Sequence, residues 1–123
     1  MDTLWYSQNL QLLIIFAQNN DKFIMIKHIV LFKMRDDIDA TTKNTNLKAI
    51  KADLEALMGV VPTLLSMEVG INCNPAEKFD LALVSTFNNL DDLNAYAVHP
   101  DHLAVGKRIK AMLDVRACND FEF

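Results

Sequence analysis

Residues 26–34 constrain the fold most, because this short stretch is apolar on both faces of a strand. The segment I-K-H-I-V-L-F-K-M is rich in the β-branched and aromatic residues that strands prefer. Alternation places His28 and Val30 on one face and Ile29 and Leu31 on the opposite face. A sheet built around this strand therefore needs cover on both of its sides.

The rest of the chain reads as a simple order of helices and strands. Periodicity and turn residues predict a helix, two strands, two short helices and a last strand. The predicted elements are a helix at 42–59, strands at 64–72 and 79–87, short helices that start at Asn89 and Pro100, and a strand at 115–123. Inward positions of the second short helix are predicted at Leu103, Gly106, Ile109 and Leu113. This order predicts an α+β fold of the ferredoxin-like type, with a four-stranded antiparallel sheet and helices on one face.

The uncovered face of this sheet predicts a homodimer. Helices cover one face only, whereas the strands are apolar on both, and apolar residues make up 51% of the chain. A second copy of the chain is the simplest source of a covering sheet. We therefore expect a symmetric dimer with two sheets packed face to face.

Length and charge exclude several classes of partner. The 123 residues suit one domain, and 16 acidic against 12 basic residues leave a net charge of −4. An acidic surface is a poor match for nucleic acid or anionic lipid, so neither nucleic acid nor a membrane is expected as a partner. Cys73 and Cys118 lack CxxC spacing and indicate free thiols in a reducing cytoplasm, although a single disulfide between them stays open.

Residues 1–24 read as an N-terminal extension, separate from the core domain at 25–123. The apolar run at 10–17 is too short to cross a membrane, which takes about 20 apolar residues. No basic residue precedes the run, as one would in a secretory signal. Met25 opens the first strand and is the preferred start of the domain. The alternative is a short amphipathic helix that packs on the domain or on its partner.

Three histidines and one tyrosine are the residues best suited to chemistry. His28 lies near the start of the first strand, and the break between the short helices carries Tyr96, His99 and His102. Histidine transfers protons near neutral pH, and a tyrosine hydroxyl stabilises developing negative charge. Structural alternatives exist for each. His99, just before Pro100, suits a helix start, and this is its favoured interpretation. His28 and Tyr96 suit positions in the core. His102 suits an exposed position in the first turn of a helix.

A metal site is a further alternative for the same histidines. His99 and His102 have an i, i+3 spacing, and His28 is a third candidate. A zinc or iron site usually takes three or four protein ligands, and the chain has no HExxH motif or Cys/His cluster. GxGxxG, P-loop and GxSxG motifs are also absent from the sequence. No metal and no cofactor are therefore predicted.

The segments K-H-I-V-L-F-K at 27–33 and Y-A-V-H-P-D-H at 96–102 together resemble the stress-responsive A/B barrel family, also called the dimeric α/β-barrel (Dabb) domain. The resemblance covers nearly all of residues 25–123 and none of the extension. It implies a homodimer whose two sheets form a barrel-like core, in agreement with strands that are apolar on both faces. It is not specific for an activity, because most members of the family have no assigned reaction.

One plant branch of this family, the olivetolic acid cyclase type, closes a linear polyketide by aldol condensation without a cofactor. Its motif is Y-x-x-H-P-x-H, and the outer positions here are Tyr96 and His102. The resemblance implies that His102 is the general base and that Tyr96 holds the substrate carbonyl or the developing oxyanion, with His28 bordering the pocket. We thus expect a pocket for a small hydrophobic, carbonyl-containing or aromatic ligand, in a cofactor-free lyase, cyclase or isomerase. The alternative is a non-catalytic, stress-associated homodimer.

Overall fold

The computed structural model describes residues 24–123, so the predicted extension at 1–24 lies, except for Ile24, outside the described residues. Within the described range, four strands and three helices follow in the predicted order. They are β1 (Ile26–Met34), α1 (Ala40–Glu55), β2 (Ser66–Ile71), β3 (Leu81–Phe87), α2 (Leu90–Ala97), α3 (Pro100–Lys110) and β4 (Leu113–Glu122). The predicted α+β, ferredoxin-like fold is confirmed, and β1 has the predicted bounds.

The four strands form one antiparallel sheet in the order β2-β3-β1-β4, so β1 is central and β4 is an edge strand. The register places His28 directly opposite Ser85 on β3 and Asp120 on β4. Side chains that lie directly opposite in neighbouring strands point to the same face of a sheet. His28, Ser85 and Asp120 therefore share one face.

Side-chain caps start the helices near their predicted positions. Asp39 caps α1 and Asn89 caps α2 through side-chain oxygens that accept backbone N–H groups. Helix α1 ends at Glu55, earlier than predicted. Gly59 lies in the turn that follows, with a φ of 82°, which glycine adopts without steric strain. No helix in the described part of the chain is long and apolar enough to cross a membrane.

The helices pack on one face of the sheet and bury the core there. Alternate residues of β1 and β3 are buried on this face, and the residues between them are half-buried on the opposite face. Leu47, Ile50 and Leu54 of α1 pack into the same core. This arrangement follows from the 3.6-residue period of the helix and the two-residue period of the strands.

The inward stripe of α3 differs from the prediction. Val105 and Ile109 are buried, whereas Leu103, predicted to face inwards, is 56% exposed. His102 is half-buried and occupies the inward position one turn before Val105. The prediction for Leu103 was wrong because it followed apolar residues only, while a polar histidine takes part in the true i, i+3, i+7 stripe.

The opposite face of the sheet has no helix against it among the described residues. Ile29, Leu31 and Val84 are half-buried at its centre. Val115 and Phe121 on β4 are 44% and 40% exposed on the same face. Exposed apolar side chains gathered on one sheet face commonly mark an interaction site.

Candidate functional site

A cavity of about 140 Å³ lies between the sheet and the helices. Tyr96 of α2, His102 of α3 and His28 of β1 all line it, so the structure brings the three predicted site residues together. The other walls are mainly apolar, with the exposed cations Lys110 and Arg116 as further lining residues. Apolar walls with a few polar groups are typical of sites for small organic ligands.

A larger depression of about 400 Å³ lies elsewhere on the domain. Leu31, Gly70 and Ala82 line it, and the register places all three on the sheet face without helices. Among the described residues that line it, none is a histidine or a tyrosine. We therefore take the smaller cavity, which holds the residues suited to chemistry, as the candidate site.

Tyr96 is buried beside the cavity, with only 1% of its surface exposed. Its ring packs against Phe87, with 5.1 Å between the ring centroids, and against His102, with 4.3 Å. Among the described residues its hydroxyl has no hydrogen-bond partner. Burial raises the pKa of Tyr96, so the phenol stays protonated and is able to donate. An unpartnered buried hydroxyl costs about 1–3 kcal/mol, so the hydroxyl of Tyr96 lowers the stability of the fold unless a ligand accepts its hydrogen bond.

His102 lies in the first turn of α3, and its Nδ1 is 2.9 Å from the carbonyl oxygen of Ala97. Because a carbonyl only accepts, Nδ1 donates and Nε2 of the neutral ring is an unprotonated acceptor. Burial lowers the pKa of His102, and the charges of His28, Arg116 and His99 lower it further, against the opposing hydrogen bond to Ala97. The neutral, basic form of His102 is thus favoured at neutral pH.

The lowered pKa of His102 predicts a pH-dependent contribution to stability. In the unfolded chain the imidazole titrates near its ordinary pKa of 6.5, above its value in the folded domain. As the pH falls, the unfolded state binds the proton first, so the free energy of unfolding decreases from about the unfolded pKa down through the folded pKa. We expect His102→Gln to flatten this decrease in urea unfolding followed between about pH 7.5 and about pH 5. His99→Asn keeps a capping side chain and removes only the weakest of the three charges that lower the pKa of His102, so it should retain most of the wild-type slope. An unchanged slope in His102→Gln would contradict the prediction.

His28 forms a pair with a carboxylate of the edge strand. It is 8% exposed, and its Nδ1 is 2.5 Å from Oδ1 of Asp120. The carboxylate orients the imidazole, and in the neutral ring it holds the proton at Nδ1, so that Nε2 is an acceptor in that form. The sulfur of Cys118 lies 3.6 Å from the same Nδ1. Burial raises the pKa of the Cys118 thiol, and the charge of Asp120 raises it further by a smaller amount.

Sequence reasoning missed Asp120, Cys118 and Ser85 as neighbours of His28. Ser85 is fully buried opposite His28, and its Oγ has no hydrogen-bond partner among the described residues. Alternation along β4 already places Cys118 and Asp120 on one face. The strand register, which the sequence does not specify, decides that this face meets His28.

His99 starts a helix, as its favoured interpretation predicted. Its side chain caps α3 by accepting the backbone N–H of Asp101 at 3.2 Å. The metal alternative drawn from the three histidines is not supported, because the group of possible ligand atoms that the described residues bring together around His28 contains neither His99 nor His102. Cys73 and Cys118 are both free and exposed.

The family model described as Stress Responsive A/B Barrel Domain (Dabb) matches residues 26–123. Solved structures similar to this chain are described as ferredoxin-like. The four-stranded sheet with helices on one face agrees with that class. The chain belongs to the stress responsive A/B barrel domain family, and the resemblance noted from residues 27–33 and 96–102 is confirmed.

Two curated relatives from Arabidopsis thaliana carry the same family name. Stress-response A/B barrel domain-containing protein DABB1 is 33% identical over 89 residues, which are 72% of this chain and 42% of that protein. A second stress-response A/B barrel domain-containing protein of the same plant is 36% identical over 86 residues, which are 68% of this chain and 30% of that protein. The chain therefore spans less than half the length of these relatives.

Several solved structures share the fold. A dimeric protein of unknown function with a ferredoxin-like fold from Bacteroides fragilis is 45% identical, with a TM-score of 0.78, over 80% of this chain and 96% of that one. A dimeric ferredoxin-like protein of unknown function from Thermobifida fusca is 27% identical, with a TM-score of 0.71, over 83% and 93% of the two chains. Hydroxynitrile lyase from Passiflora edulis is 19% identical, with a TM-score of 0.67, over 80% and 93%, and this likeness concerns the fold alone.

Proposed function

We propose that this domain binds a small, apolar carbonyl compound in the cavity and transfers a proton on it without a cofactor. The observation that carries the proposal is the pairing of Tyr96 and His102 in one apolar cavity. The Tyr96 hydroxyl is a donor without a partner among the described residues, and Nε2 of neutral His102 is a base without a proton. Enolisation of a carbonyl compound needs such a donor and such a base on the same substrate.

In the proposed mechanism His102 is the general base. Its Nε2 removes a proton from the carbon beside the substrate carbonyl, and the C–H electron pair forms a C=C bond while the carbonyl oxygen becomes an enolate oxygen. Tyr96 donates a hydrogen bond to that oxygen, and the apolar walls strengthen this bond by excluding water. In a β,γ-unsaturated substrate the enolate is conjugated, so protonated His102 returns the proton to the γ carbon and the C=C bond moves into conjugation with the carbonyl, which gives isomerisation. Alternatively, the enolate carbon attacks a second carbonyl, which closes a ring, and His102 protonates the new alkoxide.

His28 is proposed to orient the substrate from the sheet side of the cavity. Asp120 holds its proton at Nδ1, so Nε2 accepts a hydrogen bond from a substrate hydroxyl. The carboxylate has no proposed contact with the substrate and acts only through the ring of His28. This division resembles other sites in which a carboxylate sets the tautomer of a functional histidine.

The cavity volume limits the part of the ligand that is enclosed to about one ring. Its volume of about 140 Å³ is close to the roughly 150 Å³ of an engineered apolar cavity that binds benzene. A longer substrate would extend past the exposed Lys110 and Arg116, which line the same cavity. Their charges would suit a substrate with a carboxylate on its far end.

We also propose that the domain works as a homodimer through the sheet face without helices. The exposed side chains of Val115 and Phe121 support this, as does the dimeric state stated for the Bacteroides fragilis protein. A symmetric pairing would bury the same apolar face of both copies. The free thiols of Cys73 and Cys118 suit a reducing cytoplasm, where we propose that the homodimer works.

Gly106 offers a way to close the cavity without removing its polar groups. It lines the cavity from α3, and a Cβ added there would meet no other side chain within 4 Å. Gly106→Leu should therefore fill the cavity. Gly106→Ala should leave most of it open and raise the free energy of unfolding by up to about 1 kcal/mol, because alanine favours the helix.

Ligand binding is tested by NMR of the histidine ring resonances during titration with cyclopentanone and with acetophenone. We expect both ketones to shift His28 and His102 in the wild type and in Gly106→Ala. Gly106→Leu should bind at least about tenfold more weakly, since overpacking costs about 1–3 kcal/mol. If neither ketone moves the two rings in the wild type, the proposed pocket is wrong. Equal binding by Gly106→Leu would place the ligand elsewhere.

A non-catalytic, stress-associated homodimer is the second candidate. The close packing of Tyr96 against Phe87 and His102 favours it, because such contacts also suit a residue that only fills the core. Under this alternative the domain binds a small molecule without turnover, or only supports assembly, while the dimer persists. The ketone titration therefore tests the pocket, and an assay of proton transfer on the bound ketone separates the two candidates.

A further inference from the structure

Strands β1 and β4 bring a nitrogen, a sulfur and an oxygen ligand together beside the cavity. Nδ1 of His28, Sγ of Cys118 and a carboxylate oxygen of Asp120 all lie within 4.8 Å of one another. We propose that these three side chains form a binding site for a divalent cation of the zinc class. The site uses neither His102 nor Tyr96, the two residues of the proposed proton transfer, and shares only His28 with the cavity.

The strand geometry positions these ligands without help from a flexible loop. Asp120 lies directly opposite His28 in the β1–β4 register, and Cys118 lies two residues before Asp120 on the same face. Opposite side chains on neighbouring strands have Cβ atoms about 4.5–5.5 Å apart, a spacing that one bound ion spans. His28 is buried while Cys118 and Asp120 are exposed, so the site has a rigid inner ligand and an open entry.

The distances between the ligand atoms already approach those around tetrahedral zinc. Usual zinc bond lengths imply about 3.6 Å between a sulfur and a nitrogen or oxygen ligand, and about 3.3 Å between nitrogen and oxygen. Cys118 Sγ lies 3.6 Å from Nδ1 of His28 and 3.7 Å from Oδ1 of Asp120. The His28–Asp120 distance of 2.5 Å is shorter, because these two atoms form a hydrogen bond. A metal ion that replaced the proton of this bond would need the pair to open by less than about 1 Å.

The ligand types select the metal. Thiolate and imidazole disfavour magnesium and calcium, which take oxygen ligands, and favour zinc or a similar transition metal. Three protein ligands leave a fourth position for water or a small ligand. An ionised thiol and an ionised carboxylate would offset the positive charge of the bound ion. The nearby cation Arg116 favours the ionised form of the Cys118 thiol.

Metal binding at this site would change the state of His28. The ion takes Nδ1, so the ring proton must move to Nε2, and His28 turns from an acceptor into a donor at that nitrogen. Because His28 also lines the cavity, an occupied metal site would alter which ligands the cavity accepts. This consequence rests on the proposed function, whereas the metal site itself does not.

Cobalt(II) provides a direct test, because a thiolate ligand gives it an intense charge-transfer absorption. The full chain, purified without metal, is titrated with cobalt chloride and followed by ultraviolet and visible spectroscopy. We expect one ion per chain with this absorption in the wild type. Cys73→Ser is the matched control, because Cys73 is also a free, exposed thiol but lies outside the cluster. It should behave as the wild type does.

Cys118→Ser should abolish the thiolate absorption and weaken cobalt binding at least about tenfold, and Asp120→Asn should weaken it while keeping the absorption. Zinc should displace cobalt in the wild type. The proposal would be overturned if the wild type lacked the absorption. It would also be overturned if Cys73→Ser lost the absorption while Cys118→Ser kept it. If a variant fails to fold, absence of the absorption in the wild type still overturns the proposal. Ketone binding measured without metal tests the proposed function separately.

Discussion

Val84→Arg is expected to convert the proposed homodimer into monomers, with a dissociation constant raised by at least about 1,000-fold. Val84 is half-buried at the centre of the sheet face without helices, and it pairs with Ile29 on β1 and Glu68 on β2. In a symmetric dimer the substitution occurs twice, so two arginines would be forced into one apolar interface. The interface would take each arginine, and the Glu68 opposite it, out of water, which costs several kcal/mol per ion.

The monomer should tolerate the same change. An arginine at position 84 can extend its charged end into solvent, and Glu68 on the neighbouring strand offers an opposite charge. The expected result is a folded monomer rather than an unfolded chain. Light scattering at micromolar concentration gives the mass, and circular dichroism checks the fold.

Val98→Arg is the matched control for this experiment. Val98 is 68% exposed at the end of α2, away from the strands of the sheet, so its replacement should leave the dimer intact. A dimer that survives Val84→Arg would exclude this face as the interface. A monomeric wild type at the same concentration would exclude the proposed homodimer altogether.

His102→Gln is expected to lower the rate of proton transfer on a bound ketone by about 10²- to 10⁴-fold, because it removes the general base. The assay needs no knowledge of the natural substrate. Exchange of the methyl protons of acetophenone in D₂O is followed by proton NMR, with the wild type compared against buffer. His99→Asn is the control, since His99 caps α3 and its replacement keeps a capping side chain.

Tyr96→Phe separates a functional hydroxyl from core filling. Loss of the donor to the enolate oxygen should slow exchange by about 10²- to 10³-fold. The free energy of unfolding should not fall and should rise by about 1 kcal/mol, because the buried hydroxyl has no partner among the described residues. Thermal or urea unfolding measures this change.

A fall in stability with unchanged exchange would assign Tyr96 to the core and contradict its proposed role. Exchange at the buffer rate in the wild type would remove the catalytic proposal. The non-catalytic homodimer would then be the better account of the domain. The proposed metal site would be unaffected by this result, because the cobalt titration tests it separately.

Most of the fold was open to prediction from local sequence, since periodicity and capping depend on neighbouring residues. The bounds of β1 and the Asn89 cap of α2 were predicted correctly. The ends of elements were less accurate, as with α1, which ends at Glu55. The predicted orientation of α3 was wrong at Leu103, because helix rotation depends on which side chains fit against the sheet.

The candidate site was predictable in part. A resemblance carried by short motifs singled out His28, Tyr96 and His102, and the structure places all three around one cavity. Asp120 and Cys118 carry no motif. Their approach to His28 depends on pairing between strands at opposite ends of the chain, which local periodicity does not specify.

The sequence alone determined the order of elements, the ferredoxin-like class and the two-sided apolar strands, because residue type and spacing set these properties locally. Only the tertiary structure decided the β1–β4 register and the rotation of α3. Register brings Asp120 and Cys118 to His28, and rotation turns His102 towards Tyr96. Both depend on contacts between residues far apart in the chain, whose packing is decided only when the sheet and helices close on one core.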